Sequence, residues 1–362
     1  MIEWVGTVAA SLCCLMSAAT LLALLETDKW WIRVLDFPRL QIATVLFVGL
    51  AVYGATRPAG IAAMLLIAGS AAALAWQVRV ILPYSPLWKR QMTATPSRPN
   101  AERVRLLIAN VLQDNRDTAR LLRLAEETDP DLILLTEIDD RWARALEGLT
   151  KTHPHTILEP RANTYGMGLY SRLSLIGGEV RHLLDEDIPS IRTRVALPGG
   201  TEFTLWAVHP SPPRPGDDTD ERDAELLIVA REVAEASGPA IVTGDLNDVA
   251  WSATTSLFQR ISGMLDPRVG RGMFATFNAN WPLFRWPLDH LFASRDWTLG
   301  EFRRLGPIGS DHFPILIELH HQPRAARHQE GPQEEPGDAE KAQEHIDDGR
   351  DAAADPPKPV SP

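Results

Sequence analysis

Three uncharged apolar runs open the chain, Trp4–Leu25, Leu40–Thr56 and Pro58–Val78, with charged residues only at their borders. The first and third are long enough to cross a hydrocarbon layer of ~30 Å as helices, and the second is shorter. Trp30, Trp31, Trp76 and Tyr84 fall near the ends of these runs, where amphipathic rings favour the membrane–water interface. Three such runs in succession predict a three-helix transmembrane anchor over residues 1–82 rather than three buried helices of a soluble core. The residue before the first run is Glu3, which does not fit the basic start of a cleaved signal peptide.

Beyond the anchor the pattern changes. Residues 83–102 mix prolines with polar residues and show no apolar period, the composition of a linker. From Arg103 onward, apolar runs of strand length predict strands at Val104–Ala109, Leu132–Leu135, Met167–Ser171, Arg192–Leu197, Phe203–Val208, Ala240–Thr243, Leu288–Ala293 and Ile315–Leu319. Leu121, Leu122, Leu124 and Ala125 mark the apolar face of a helix that Asp129-Pro130 ends, and a second helix is expected at Asp220–Ala236. Many strands with few helices between them fit two packed sheets covered by helices better than a doubly wound sheet. Residues 322–362 are rich in Pro, Glu, Asp, Gln and Ala with almost no large apolar side chain, so a disordered acidic tail is expected after the domain at 103–321.

Charge refines this division. The formal net charge is −11, and the tail holds ten Asp/Glu against five Lys/Arg, a net −5 that leaves −6 for the rest. No global basic field exists to draw in a polyanion. Lys29, Arg33, Arg39, Arg79, Lys89, Arg90 and Arg98 share one side of a three-span anchor, against Arg57 on the other. That asymmetry places the N-terminus outside and the large domain in the cytoplasm of an integral membrane protein, with a bacterial inner membrane as the expected setting. Cys13 and Cys14, the two cysteines, lie inside the first apolar run, where adjacent helical positions point apart and read as small apolar residues.

Polar residues able to bind metal or move protons recur where the expected strands end. Asn110 closes LLIAN, Glu137 closes LILLTE, and His209 closes LWAVH. Asp245 and Asn247 follow AIVTG, Asp289 and His290 interrupt PLDHLFAS, and Asp311 and His312 stand in Gly-Ser-Asp-His-Phe-Pro. Each alone is ordinary turn or cap chemistry. Together they line up as one set at the ends of apolar strands, and residues two apart, such as Asp245 and Asn247, face the same side.

This ordered set, with GDLN at 244–247 and SDH at 310–312 as its specific elements, resembles the endonuclease/exonuclease/phosphatase superfamily over roughly residues 103–320. The resemblance implies an α+β fold, a four-layered αββα sandwich with the site at one end. It also implies a Mg²⁺-dependent phosphoesterase, with Mn²⁺ as a substitute. A hard dication held by few oxygen ligands neutralises phosphate charge and stabilises the leaving oxygen. In that scheme Asn110, Glu137 and Asp311 are the metal ligands, and His312, oriented by Asp289, moves the proton. Asp245 and Asn247 position the attacking water and the phosphate, while His209 donates to a phosphate oxygen. Tyr165, before a Gly-rich strand entry, is a secondary phosphate contact. Arg192 and Arg194 alternate on one strand and read as a solvated face.

The expected partners are a phosphate ester (nucleic acid, phospholipid or small phosphodiester) and the lipid bilayer through residues 4–78, with no obligate protein partner implied. A linker of ~20 residues keeps the domain near a bilayer, which favours a lipid headgroup, whereas a nuclease would be expected to show a more basic face. The rival reading is a membrane-anchored binding module on the same fold that has lost catalysis. Such a module should lack Glu137, Asp245 or His312, and all three are present.

Overall fold

The computed structural model describes residues 2–25, 27–95, 102–212, 216 and 218–354. It divides into two compact units, Met1–Lys89 with Pro213–Thr219, and Arg90–Pro212 with Asp220–Pro362.

The first unit holds α1 (Ile2–Leu22), α2 (Trp30–Arg33), α3 (Arg39–Ala55) and α4 (Ile61–Ile81). Its packing is inverted relative to a water-soluble bundle. Leu15, Leu21, Phe47, Ile61, Met64 and Leu65 are exposed, while Thr20, Ser70 and Gln77 are buried. Gln77 Nε2 donates to Thr20 Oγ1 at 2.9 Å, and the Ser17 and Ser70 hydroxyls meet at 3.2 Å, the kind of interhelical hydrogen bond that helps hold helices together in lipid. A Cβ on Gly49 would stand 2.8 Å from Cys13 Sγ, so α1 and α3 approach closely there. Cys13 is buried and Cys14 exposed, as adjacent helical positions require.

The expectation of three separate spans narrows. Glu3–Leu22 and Ile61–Tyr84 are each long and apolar enough to cross a membrane, but α3 qualifies only when joined to Trp30–Asp36, from which it bends by 70°. Pro38 stands at the bend and has no N–H to continue a helical ladder.

The second unit runs β1 (Arg103–Asn110), α5 (Thr118–Thr128), β2 (Leu132–Thr136), α6 (Asp140–Ala145), β3 (His155–Glu159), β4 (Met167–Ser171), β5 (Ser174–His182), β6 (Pro189–Ala196), β7 (Glu202–Ala207), α7 (Asp220–Glu235), β8 (Ala240–Asp245), α8 (Ala253–Ser262), β9 (Asp289–Ala293), β10 (Trp297–Arg304), β11 (Ile315–His321) and α9 (Asp338–Ala354). One sheet is ordered β10-β11-β1-β2-β4-β3 and the other β5-β6-β7-β8-β9. Val104, Leu106 and Ile108 of β1 meet Phe203, Leu205 and Ala207 of β7 in the core between the sheets. Leu107 and Ala109 face the opposite way, onto Leu121 and Ala125 of α5 and Trp142 of α6. On the second sheet Trp206, Val208 and Val242 pack under Leu226 and Val229 of α7 and Phe258 of α8. The result is the four-layered αββα sandwich, with open sheets.

Each sheet contains one parallel pair, β1 with β2 and β7 with β8, and all its other pairings are antiparallel. The two parallel pairs are joined by crossovers containing α5 and α7, as parallel neighbours require. Three strands were not foreseen, β3, β5 and β10, and all three are sheet edges. Edge strands keep one side in solvent and carry polar residues and glycine, and here β5 contains Gly177 and Gly178 beside a register shift. Arg192 and Arg194 are exposed on β6, with Arg194 paired to Glu202 at 2.9 Å.

Two boundary expectations are corrected. Part of the expected linker belongs to the core: Met92 is fully buried between the sheets, and Thr93 and Thr95 exchange backbone hydrogen bonds with Leu299 beside β10. Residues 96–101 lie outside the described residues. The tail is also not wholly disordered, because α9 lies along α7. Asp338, Ala342, Ile346 and Gly349 are its buried positions, spaced as one helical stripe. The stripe is made mostly of small residues, so composition hid it. A Cβ on Gly349 would stand 2.4 Å from the Ala224 Cβ, which lets the two helices touch, and Asp338 takes two hydrogen bonds from the Arg260 guanidinium at 2.6 and 2.8 Å. Residues 355–362 lie outside the described residues.

Glu225 in α7 gives the fold a pH signature. Burial, reinforced by Glu221 and Asp185, pushes its carboxyl up to about 8. Between the ordinary carboxyl range and that value the unfolded chain releases this proton and the folded chain keeps it, so stability falls as pH rises and the full penalty is present above about 8. Glu225→Gln should therefore stabilise the protein by a few kcal/mol at alkaline pH and little at pH 4. Equal gains in denaturant midpoint at both pH values would refute this assignment.

Candidate functional site

The strand directions bring the chemical residues to one end of the sandwich. Asn110 ends β1, Glu137 follows β2, His209 follows β7 and Asp245 ends β8, so both parallel pairs deliver their C-terminal ends there. The antiparallel strands contribute from their starts: Asp289 opens β9 opposite Asp245, and Asp311 and His312 precede β11. The turns that release these side chains are tight. Leu112, Glu137 and Asn247 all have positive φ, at 57°, 62° and 50°, a region asparagine visits readily but one that costs Leu112 and Glu137 roughly 1 kcal/mol or more each. Gly244 has φ 146°, and a Cβ there would fall 1.9 Å from the Val208 carbonyl oxygen, so only glycine lets β8 pass this close to the segment that leaves β7 and carries His209.

Asp245 is the hub. Asn110 Nδ2 donates to Asp245 Oδ2 at 3.0 Å and to Glu137 Oε1 at 2.8 Å. His312 Nε2 stands 3.5 Å and His209 Nε2 4.0 Å from the same Asp245 oxygen. Asp245 Oδ1 accepts the Asn247 N–H at 3.1 Å, while the Asn247 side chain turns to the Pro210 carbonyl at 2.9 Å. Asp289 Oδ2 accepts from His312 Nδ1 at 2.8 Å, the pairing that the family resemblance implies.

Asn110, His209, Asp245, Asp289 and His312 are buried, and Glu137, Asn247 and Asp311 are partly open. Burial disfavours the charged form of Asp245, yet the His312 and His209 rings and the Asn110 amide outweigh it and hold the carboxyl below its ordinary value. Burial likewise opposes the His312 imidazolium, but Asp245 and Asp289 overcome it and push the ring up to about 10. Asp289 is raised, chiefly by burial, and burial lowers His209. His209 Nδ1 is buried without a hydrogen-bond partner among the described residues.

Tyr165 lies against His209, with ring centroids 5.7 Å apart. Asp311 accepts hydrogen bonds from the Ser310 hydroxyl and, at its backbone carbonyl, from the Ala279 N–H, and its charge acts on His312. Asp245, Asp289 and His312 also form a potential ligand group at this end, with ligand atoms within 4.8 Å of one another. Glu137, Asp245 and Asp289 converge on a neutral amide and an imidazole, and the described donors are oxygen and imidazole nitrogen, so the set suits a hard divalent cation.

Three contributors escaped the sequence pattern. Gln113 donates its backbone N–H to Glu137 Oε2 at 3.2 Å, and its side chain spans the Ala162 carbonyl and the Thr164 N–H beside Tyr165. Thr276 Oγ1 accepts the Asp289 N–H at 3.2 Å, and Phe277 packs its ring 5.0 Å from that of His312. All three lie in irregular segments, where no strand end draws attention to them.

Solved structures share this architecture. The chain superposes on D. rerio TDP2 complexed with a single-strand DNA product at TM-score 0.51 and 17% identity, covering 60% of this chain and 99% of that one. The catalytic domain of human Nocturnin with bound sulfate gives TM-score 0.51 and 15% identity over 61% and 96% of the two chains. An endonuclease/exonuclease/phosphatase from Bacteroides vulgatus gives 0.50 and 16% over 61% and 99%. At these identities the likeness speaks to fold alone. No curated protein sequence matches the chain. The model of the Endonuclease/Exonuclease/phosphatase family matches residues 104–312, more than half of the chain and the span from β1 to His312, and it is to this family that the chain belongs.

Proposed function

We propose that the protein is a membrane-anchored, Mg²⁺-dependent hydrolase of phosphodiester bonds. The observation that carries this reading is the convergence on Asp245 of Asn110, His209 and His312, with Glu137 and Asp289 one hydrogen bond away. Asn110, Glu137 and Asp311 are the proposed ligands. A bound dication would neutralise phosphate charge and stabilise the leaving oxygen.

The chain's own groups do the rest. His209, kept neutral by burial, has a free ring nitrogen to engage a phosphate oxygen. Asp245, held ionised, orients the attacking water, and Asn247 fixes the loop beside it. His312 moves the proton under the control of Asp289, which settles the ring's tautomer and angle. Tyr165 closes the phosphate side against His209. A DNA product is seen in the similarly folded TDP2, which makes a nucleic-acid phosphodiester one candidate substrate, and an exposed apolar surface on α1 and α4 supports anchorage in a bilayer.

The test is a panel of single-stranded DNA, duplex DNA, phospholipid and bis(p-nitrophenyl) phosphate given to the full chain in detergent. Hydrolysis should stop with chelator and return with Mg²⁺ or Mn²⁺. A full panel with no metal-dependent product would instead favour the binding-module reading. A reporter fused to the C-terminus should read as cytoplasmic, and a periplasmic signal would overturn that side assignment.

A further inference from the structure

The residue after Asp289 points away from the site into a buried polar chain. Arg268 is 1% exposed and fastened to Asp266, its Nη2 at 2.7 Å from Oδ2 and its Nε at 2.9 Å from Oδ1. The same Nη2 lies 2.7 Å from His290 Nδ1. A guanidinium only donates, so Nδ1 must be the bare acceptor and the ring proton must sit on Nε2. Nε2 lies 2.9 Å from the Asp248 carbonyl oxygen and therefore donates to it. Burial and Arg268 both press the ring toward this neutral form.

Sequence position gives the chain its meaning. His290 is next to Asp289, and Asp248 is next to Asn247 in the turn that begins at Asp245. Strand register places His290 opposite Gly244 and Asp289 opposite Asp245. Asp248 is itself fixed from behind, by Ser252 Oγ at 2.6 Å and by Arg222 Nη2 at 3.5 Å, while Arg222 Nη1 donates to the Asn247 carbonyl at 3.1 Å.

We propose that His290, locked in one tautomer by Arg268, is a positioning residue that ties β9 to the Asp245–Asp248 turn and so sets Asp289 and Asp245 on either side of His312. The proposal rests on the reading of the site as a phosphoester hydrolase, but it concerns geometry that exists without substrate. Groups that hold a metal ligand in place by a direct hydrogen bond typically carry ~10–100-fold in activity, and His290 acts one step further back, through the strand and turn it joins.

The full chain in detergent tests it with two readouts. One is kcat and KM on bis(p-nitrophenyl) phosphate with Mg²⁺. The other is the downfield proton resonance of His312 Nδ1–H, which reports its bond to Asp289 whether or not turnover occurs. His290→Phe should lower kcat about tenfold or more per folded molecule, leave KM within about twofold, and shift the resonance. His290→Gln, which again offers one acceptor and one donor, should restore most of both. If His290→Phe does not fold, His290→Met makes the same removal with a flexible side chain. A folded apolar variant with wild-type kcat and an unmoved resonance overturns the proposal, as does a Gln variant no better than Phe. A wild-type chain that hydrolyses nothing would sink the hydrolase reading, and the resonance would still decide the positioning claim.

Discussion

Replacing His312 with alanine is expected to lower turnover on a simple phosphodiester by ~10²–10⁴-fold per folded molecule, the usual contribution of a positioned proton-transfer group. His312 touches both Asp289 and Asp245 and is the ring held between two buried carboxylates. Its loss leaves those carboxylates without their shared imidazole, so the melting temperature should fall as well. The two effects separate by measuring rate at a temperature where the variant is fully folded by circular dichroism. A folded His312→Ala variant with turnover within threefold of wild type would remove this residue from the chemistry.

Glu137→Gln should have an effect of similar size by a different route. Glu137 is partly open, joined to Asn110 and to the Gln113 N–H, and is the carboxylate best placed to meet an ion entering from solvent. A cation that binds only the folded chain adds about 2.7 kcal/mol at a hundred times its dissociation constant. Wild type should show that stabilisation as Mg²⁺ is raised, and Glu137→Gln should lose most of it together with its metal-dependent rate. An unchanged Mg²⁺ thermal shift in the variant would move the ion to the Asp245, Asp289 and His312 group.

The parts of the fold visible in the sequence were those where burial is one-sided and strong. β1, β2, β7 and β8 carry the apolar runs after which the sequence placed Asn110, Glu137, His209 and Asp245, and the structure brings these four to one end of the sandwich. Asp289 and His312 were legible through DH and SDH beside apolar strands. β3 and β5 were not legible, because they are edge strands that bury little and look like loops, and β10 was not legible because only its first three residues are buried before it turns polar. Gln113 and Thr276 act through a few backbone, amide and hydroxyl hydrogen bonds, and no periodicity marks such contacts. The bend at Pro38 was also hidden, since hydropathy records how apolar a segment is and not where its axis turns.

The helix α9 changes what a working fragment of this protein would be. Leu227 of α7 and Leu257 of α8 are buried with Ala342 and Ile346 of α9, and Gln329 bonds to the Arg295 and Trp297 carbonyls beside β10. Cutting after the last strand at His321 would bare that seam and leave those carbonyls to water. Starting at the first strand would likewise discard Met92 from between the sheets. A soluble version for crystals or assays should run from about Arg90 to Ala354, and the shorter piece suggested by the strands alone would expose sticky surface and aggregate.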